Sequence, residues 1–401
     1  MRKLAALLLF GAALSLGAQD KPHRFVEAGF DANLSFANSY LRTGDVFREK
    51  ITLDFTKLAG ELGNGLGVLA GARGEAFVNF NLGALWGFGL FAGVDALGQF
   101  KIPQSMIELL TEGNDPDEIY SDDFGLGAAA FFETGFWASA KVRRIKFTVR
   151  PAYFLPLAYL NKPRVNYAFA VKDDGSIAVE GEYKVEVYTP FSLDGITGIG
   201  DFSDNIDMAD MLGKGGVDVA LRAEYPVYHN FLIGASLGRI PIVPARLSDK
   251  YFLSGGFKID PTLEDIINND FTVPDFAPAA GYSEDHTAVF RPFKIGVDAV
   301  YRPFNIRVLT LRPEFALVFN SIYDTPVYLD FGIAGEVNLV DILTVAIGSH
   351  LEDLVWKERF RVTFNYRVIE FFAGITTQSQ QFLRSFQGAG FAVDFGVRIG
   401  F

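Results

Sequence analysis

One pentapeptide in the chain has the spacing of a serine nucleophile. Gly234-Ala235-Ser236-Leu237-Gly238 matches the G-x-S-x-G pattern, in which a sharp strand-to-helix turn exposes the serine for acyl transfer. Apolar residues, however, occupy every second position from Phe231 to Leu237, and no helical pattern follows. This alternation predicts a continuous strand rather than an elbow. We therefore expect the chain not to be an enzyme.

The residues with metal-binding chemistry are scattered. The four histidines, His23, His229, His286 and His350, are far apart and lack ligand spacing, so we expect surface histidines and no metal or cofactor. The acidic run from Asp201 to Asp210 offers oxygen ligands for a loosely held calcium ion, but it lacks the glycine and the last acidic residue of an EF-hand loop. Without cysteine, the chain has no disulfide and no thiolate site.

Basic residues recur on one parity of a segment near the C-terminus. The predicted basic ladder consists of Lys357, Arg359, Arg361 and Arg367. Aromatic and apolar residues occupy the other parity, so we expect the ladder to face the lumen of a barrel. The acidic candidates on other segments are Glu133, Asp298, Glu314, Asp330, Glu336 and Asp394. A basic ladder facing acidic walls would set the ion preference of an open pore. The alternative is that these charges pair across the lumen and fill it.

The last eleven residues predict the kind of element that positions these charges. One parity is entirely apolar: Phe391, Val393, Phe395, Val397, Ile399 and Phe401. Since side chains alternate faces along a strand, this segment has one apolar face and one small or charged face. About ten residues of tilted strand suffice to cross a bilayer. The segment resembles the C-terminal assembly signal of bacterial outer-membrane β-barrels, which implies the barrel assembly machinery and outer-membrane lipid as partners.

The same period of two recurs along the chain. The main alternating segments are Val26–Phe36, Trp86–Ala96, Phe124–Ala138, Ile145–Leu155, Val217–Tyr225, Phe231–Leu237, Phe293–Tyr301, Ile306–Phe319, Val327–Val337, Trp356–Val368 and Ile369–Ile375. Many similar strands separated by turns predict an all-β fold, a transmembrane up-and-down antiparallel β-barrel. The formal net charge of −12 argues against nucleic acid as a partner.

Connection lengths give the barrel an orientation and a strand count. Short turns, for example Asn81–Gly83 and Val142–Arg144, are typical of the periplasmic side. The long connections predicted on the extracellular side are Ala37–Leu66, Lys101–Ser121, Gly195–Gly215 and Ala245–His286. The hairpin Val165–Val187 decides the count. Within the membrane it would give sixteen strands, but its alternating charges favour a projecting hairpin and about fourteen.

The N-terminus has the features of an export signal. Arg2 and Lys3 precede an apolar stretch from Leu4 to Leu16, and small residues follow up to Ala18. We therefore expect a signal peptide over residues 1–18, handled by the export translocon and cleaved near Ala18. Residues 19–401 would form a single barrel domain in the bacterial outer membrane.

Two predicted loops contain patterns of regular secondary structure. Phe47–Leu62 combines a short alternating piece with a helix-like end, and Pro103–Thr111 predicts a helical turn or two. Such segments either cap the rim of a barrel or fold into its lumen as a constriction.

The chain resembles the long-chain fatty-acid transporter family of outer-membrane barrels. The resemblance rests on the export signal and on Gly215–Leu247, where a Gly/Asp strand, a Tyr-ended turn and a second Gly-rich strand follow one another. Members of that family carry a plug-like segment before the first strand, whereas only a few residues separate Ala18 from Val26 here. Any hatch would therefore come from an internal loop such as Ala37–Leu66.

These patterns lead to two functional expectations. The first is a passive channel or transporter for small or hydrophobic solutes, whose identity the sequence leaves open. The second is a structural or surface-interaction barrel with a closed lumen.

Overall fold

The computed structural model describes most of the chain. It covers residues 24–40, 65–83, 85–113, 115, 118–172, 176–192, 207–260, 278–303, 308–319, 322–323, 325–340 and 342–401. The predicted signal peptide and the segment Phe47–Leu62 lie outside the described residues. No helix within these ranges is both long and apolar enough to cross a membrane.

Fourteen antiparallel strands form a closed wall. Around the barrel they are β1 (Val26–Asn38), β2 (Leu66–Leu82), β3 (Trp86–Ile102), β5 (Gly125–Val142), β6 (Ile145–Leu160), β9 (Gly216–Tyr228), β10 (Phe231–Val243), β13 (Phe293–Tyr301), β14 (Leu309–Phe319), β15 (Val327–Val340), β16 (Leu343–Glu352), β17 (Val355–Tyr366), β18 (Ile369–Ser379) and β19 (Phe391–Gly400). The predicted count of fourteen is confirmed.

The first and last strands close the barrel. β1 and β19 pair from Glu27 opposite Gly400 to Phe36 opposite Phe391. The backbone groups of Val26 and Phe401 exchange two further hydrogen bonds of 3.0 Å. Closure leaves neither terminal strand with an unpaired edge, which is the requirement for a sheet that crosses lipid.

The outward face of the wall is apolar. Along β19 exposed and buried residues alternate, with the predicted apolar set outside and Ala392, Asp394 and Gly396 inside. Leu90 on β3 and Ile375 on β18 are likewise exposed on the outer face. This apolar exterior around a polar interior is the pattern of a membrane barrel.

Five further strands form an outer sheet that continues the wall on one side. They are β4 (Ile119–Asp123), β7 (Arg164–Val171), β8 (Ile177–Thr189), β11 (Ala245–Ile259) and β12 (Ala279–Val289). They pair in the order β4–β7–β8–β11–β12. The hairpin Val165–Val187 thus projects from the barrel, as its charges predicted. The stretch Ala245–His286, predicted as loop, instead contributes two strands to this sheet.

The inner face of the outer sheet is continuous with the lumen. Tyr188 of β8 lies opposite Tyr159 of β6, at the point where the wall passes into the sheet. Both tyrosines belong to a buried cluster with Phe131, Phe154 and Leu247. This cluster fixes the outer sheet to the barrel.

Turns and helices complete the framework. Short turns join the strands at the end of the barrel that carries both termini, as predicted. Within the described ranges the helices are α1 (Gln104–Glu112), α2 (Met208–Gly213) and α3 (Phe382–Ser385). α1 confirms the helix predicted at Pro103–Thr111, and its Ile107 packs against Tyr40 at the rim.

Candidate functional site

The lumen contains a cavity of about 730 Å³ with a strongly charged lining. Among the described residues, nine basic and nine acidic side chains line it. They come from inward-facing positions of twelve wall strands and from the chain between neighbouring strands. Each of the nine basic side chains lies within 4.0 Å of a carboxylate. The cavity is therefore polar, balanced in formal charge and already paired.

Arg291 is the most deeply buried of these cations. It lies between β12 and β13 and is 1% exposed. Its guanidinium donates two hydrogen bonds, of 2.7 and 2.8 Å, to Asp218, and a third to Glu133. It also lies over the ring of Phe154, 4.9 Å from the centroid. Since removing one partner of such a buried set leaves an uncompensated charge, Arg291 holds this part of the lumen together.

Arg239 crosses the lumen. Its Nη2 donates to Asp95 Oδ2 at 2.8 Å, which links β10 to β3 although β5, β6 and β9 separate these strands in the wall. The backbone at Arg239 has φ of +57°, a left-handed conformation that costs about 1 kcal/mol or more for a residue with a side chain. The pairing of β10 with β9 shifts register at the same place. This bulge turns the side chain of Arg239 inward, where it links two separate parts of the wall.

The structure separates the members of the predicted basic ladder. Arg361 bonds to Asp394 at 2.7 Å. Lys357 and Arg359 share Glu352, with a distance of 3.4 Å for the lysine. These three line the cavity. Arg367 does not: it lies in the turn between β17 and β18, and its carbonyl accepts a hydrogen bond from Arg24. Whether the three remaining residues select ions stays a prediction.

The predicted acidic residues also lie on the inner face. Glu133, Asp330 and Asp394 line the main cavity. Asp298 and Glu314 line a second cavity of about 280 Å³ in the wall region of β10, β13 and β14. Glu336 completes the set by accepting from Arg312 at 2.9 Å. Acidic and basic residues alternate around the lumen rather than occupying opposite walls.

Gln378 borders the main cavity, but its amide oxygen is not accessible from it. Its side chain is 2% exposed, and its Nε2 donates to the carbonyl of Phe391 at 3.2 Å. Its Oε1 has no hydrogen-bond partner among the described residues.

The residues singled out for catalytic or metal-binding spacing have structural contacts. Ser236 lies within β10, and its hydroxyl faces the carbonyl of Gly296 at 3.5 Å. His350 corrects the expectation of surface histidines, because it is buried on β16 with Nδ1 2.8 Å from Glu314. Asp207 caps α2 by accepting from two backbone amides. Within the described ranges no three metal-ligating side chains group together.

Above the membrane the outer sheet carries its own polar cluster. Asp249 accepts hydrogen bonds from Tyr282 at 2.9 Å and from Lys214 at 3.1 Å. The bond to this carboxylate raises the pKa of Tyr282 to about 12. Burial opposes ionisation of Asp249, but the bonds from Lys214, Tyr282 and Ser248 outweigh it and lower the pKa of Asp249. The cluster ties the loop before β9 to β11 and β12.

Comparison with solved structures finds similar barrels. The Pseudomonas putida toluene transporter TodX is 10% identical over 99% of this chain and 94% of its own length, with a TM-score of 0.46. The CymD monoaromatic hydrocarbon channel is 8% identical over 99% and 92%, with a TM-score of 0.47. A Pseudomonas aeruginosa FadL homologue is 9% identical over 98% and 92%, with a TM-score of 0.44.

These likenesses concern the overall fold. At that level the chain is similar to barrels of the fatty-acid transporter group. No protein-family model matches the chain, and no curated protein matches it.

Proposed function

We propose that the chain is a passive channel of the bacterial outer membrane for small polar solutes, with zwitterions favoured over simple ions. The observation that supports this most directly is the charge-balanced lining of the main cavity, with nine basic and nine acidic side chains. A polar lumen inside an apolar wall is the arrangement of an aqueous barrel channel.

The pairing of the lining charges supports the preference for zwitterions. A simple anion that displaces Asp95 from Arg239 leaves a carboxylate without its cation in a confined lumen. Because Arg239 and Asp95 are only partly exposed, leaving the carboxylate without its cation is unfavourable. A zwitterion brings one group of each sign and compensates both partners.

A hydrophobic solute is the second candidate. The observation in its favour is an apolar cluster of Ala37, Leu69, Val355 and Tyr323, each of which also lines the main cavity. Hydrocarbons are the class named for TodX and CymD. Passage of such a solute would follow this cluster and the other apolar residues of the lining, such as Leu97, Val318 and Phe372.

The test is single-channel conductance of the refolded protein, together with swelling of liposomes that contain it. Swelling compares a zwitterion such as glycine betaine with a neutral sugar and a salt. Discrete conductance steps and faster swelling in the zwitterion than in the sugar are expected. No conductance and no swelling from a folded barrel would overturn the channel and favour a structural barrel with a closed lumen. Conductance with strong preference for one ion would overturn the zwitterion preference alone.

Charge reversal tests the lining itself. Arg359→Glu with Arg361→Glu changes the lining from nine basic and nine acidic side chains to seven and eleven. We expect the reversal potential to move towards cation selectivity because the lumen gains net negative charge. Arg144→Ala, in the exposed turn between β5 and β6, is the matched control and should leave the reversal potential unchanged. An unchanged potential in the double variant would show that these residues do not set selectivity.

A further inference from the structure

The loop between β18 and β19 folds over the outer surface of the wall. Glu358 of β17 faces outward, because Lys357 and Arg359 on either side of it line the cavity. Its Oε1 accepts a hydrogen bond of 3.0 Å from Ser349 Oγ on β16. It also lies 3.0 Å from Ser385 Oγ in α3, whose single proton is shared with the carbonyl of Phe382 at 2.6 Å. Ser385 is fully buried. The loop therefore covers a carboxylate on the outside of the barrel.

The position of Glu358 explains this cover. A carboxylate that faces lipid is unfavourable unless it is paired or hydrogen-bonded. Since Ser349 donates to Glu358 and the loop residue Ser385 lies against it, the loop covers this charge with its own outer surface. The side chains on the outer surface of the loop therefore determine what this part of the barrel contacts.

A chain of aromatic contacts joins the loop to the apolar exterior of the barrel. Phe331 of β15, which faces outward, meets Trp356 of β17 edge-on at 5.3 Å between ring centroids. Trp356 meets Phe382 of α3 at 4.6 Å, and Phe382 meets Phe386 at 5.3 Å. The surface of the loop is thus continuous with the surface that faces lipid.

Three apolar side chains project from this loop. Phe382 is 44%, Leu383 73% and Phe386 59% exposed. We call these three residues the apolar foot. The cation of the same loop points the other way: Arg384 donates to the carbonyl of Ser39 at 3.0 Å and lies over the ring of Tyr40. The loop is anchored to the rim by its polar groups and presents apolar groups outside.

We propose that the apolar foot inserts among the acyl chains of the outer-leaflet lipid and anchors this side of the rim in the membrane. Continuity with the lipid-facing exterior identifies lipid as the occupant. Large aromatic and aliphatic side chains at the boundary of the bilayer gain free energy when their apolar area leaves water. The inference requires the barrel to span a membrane and does not depend on whether its lumen conducts.

The test uses the absence of cysteine in the chain. A single cysteine at Leu383 or Phe386 carries an environment-sensitive NBD label in protein refolded into liposomes. Leu90→Cys on the lipid-facing side of β3 is the positive control, and Leu253→Cys on β11 of the outer sheet is the aqueous control; both leucines are exposed. Spin-labelled lipids then quench each label, and resistance to heat dissociation confirms folding of each variant.

We expect blue-shifted emission at both foot positions, with quenching by the spin-labelled lipids as at Leu90. The label at Leu253 should emit as in water. Water-like, unquenched emission at either foot position, in samples where the label at Leu90 is quenched, would overturn the proposal.

Discussion

The wall of the barrel is short on one side and tall on the other. β16, β18 and β19 have 10, 11 and 10 residues, whereas β2, β3 and β5 have 17, 17 and 18. With a rise of about 3.3 Å per residue along tilted strands, a difference of six residues corresponds to about 15 Å of height. The outer sheet adds to the height beyond β6 and β9. The apolar foot lies on the short side.

Arginine side chains in ion pairs are buried to different degrees on the two sides. Arg291 lies where the outer sheet joins the wall and is 1% exposed. Arg359 and Arg361, on the short side, are 37% and 46% exposed. Burial decides the energetic weight of an ion pair, since buried charges need their partners while exposed pairs contribute little. The ion pairs of Arg291 therefore serve stability, whereas Arg359 and Arg361 remain accessible to solutes.

Replacing Arg291 by methionine is the largest predicted perturbation of this contrast. It leaves Asp218 and Glu133 buried without their main cation, while Arg150 remains 3.6 Å from Glu133. We expect the free energy of unfolding to fall by about 3–5 kcal/mol. Urea unfolding of the refolded protein, followed by tryptophan fluorescence, measures the loss.

Arg361→Met is the matched control on the short side. It removes a cation that also pairs with a carboxylate, Asp394, but that remains half exposed. We expect a smaller loss than in Arg291→Met, because Arg361 is half exposed and only one buried carboxylate, Asp394, loses its cation. Equal losses in the two variants would contradict the division of roles between Arg291 and Arg361.

Alternation predicted the barrel because the lipid imposes it on every wall strand. It predicted the closing strand β19 and the projecting hairpin of β7 and β8 for the same reason: a charged parity is compatible with a lumen or with water, but not with lipid. β11 and β12 escaped prediction, because a bulge between Leu247 and Asp249 breaks their alternation. Outside the membrane no lipid requires an apolar parity.

The candidate site was predictable only where the strands are regular. Lys357, Arg359 and Arg361 fall on a continuous lumen parity, so their position followed from the pattern. Arg239 has the parity of the outward residues Ile233 and Leu237, and only its left-handed backbone turns it inward. An arginine at a lipid-facing parity was the available signal, because such a position is unfavourable. Arg291 lies between strands, where no periodicity applies.

Phe382→Ala tests the contribution of the apolar foot to stability on the short side of the wall. The substitution removes the edge-on contacts of Phe382 with Trp356 and Phe386. Each aromatic pair of this kind contributes about 0.5–1.5 kcal/mol, so we expect a loss of about 1–3 kcal/mol in the free energy of unfolding. Tryptophan fluorescence during urea unfolding measures it. Leu383→Ala is the control, because Leu383 is more exposed; an equal loss there would contradict the role of the aromatic contacts.

The smallest predicted effect concerns the tall side, where the outer sheet meets water. Asp285 of β12 accepts from Lys250 at 2.7 Å and from Tyr188 at 3.2 Å, and the bond from Lys250 lowers the pKa of Asp285. A pKa that is lower in the folded state stabilises the fold above the unfolded value of about 3.9. This stabilisation is lost as the pH falls through the folded-state pKa.

Acidification from pH 6 to below pH 4 should therefore loosen the outer sheet before the barrel wall. Hydrogen-exchange protection factors of β11 and β12, corrected for the intrinsic pH dependence of exchange, measure the loosening against those of β18 and β19. Lys250→Met removes the main cause of the lowered pKa, so protection of the sheet should depend less on pH in this variant. A parallel loss of protection in the sheet and in the short wall would show that the pair acts on the whole barrel. The outer sheet and the short wall would then unfold together. In that case the different burial of Arg291 and Arg361 would change only the free energy of unfolding of the whole barrel.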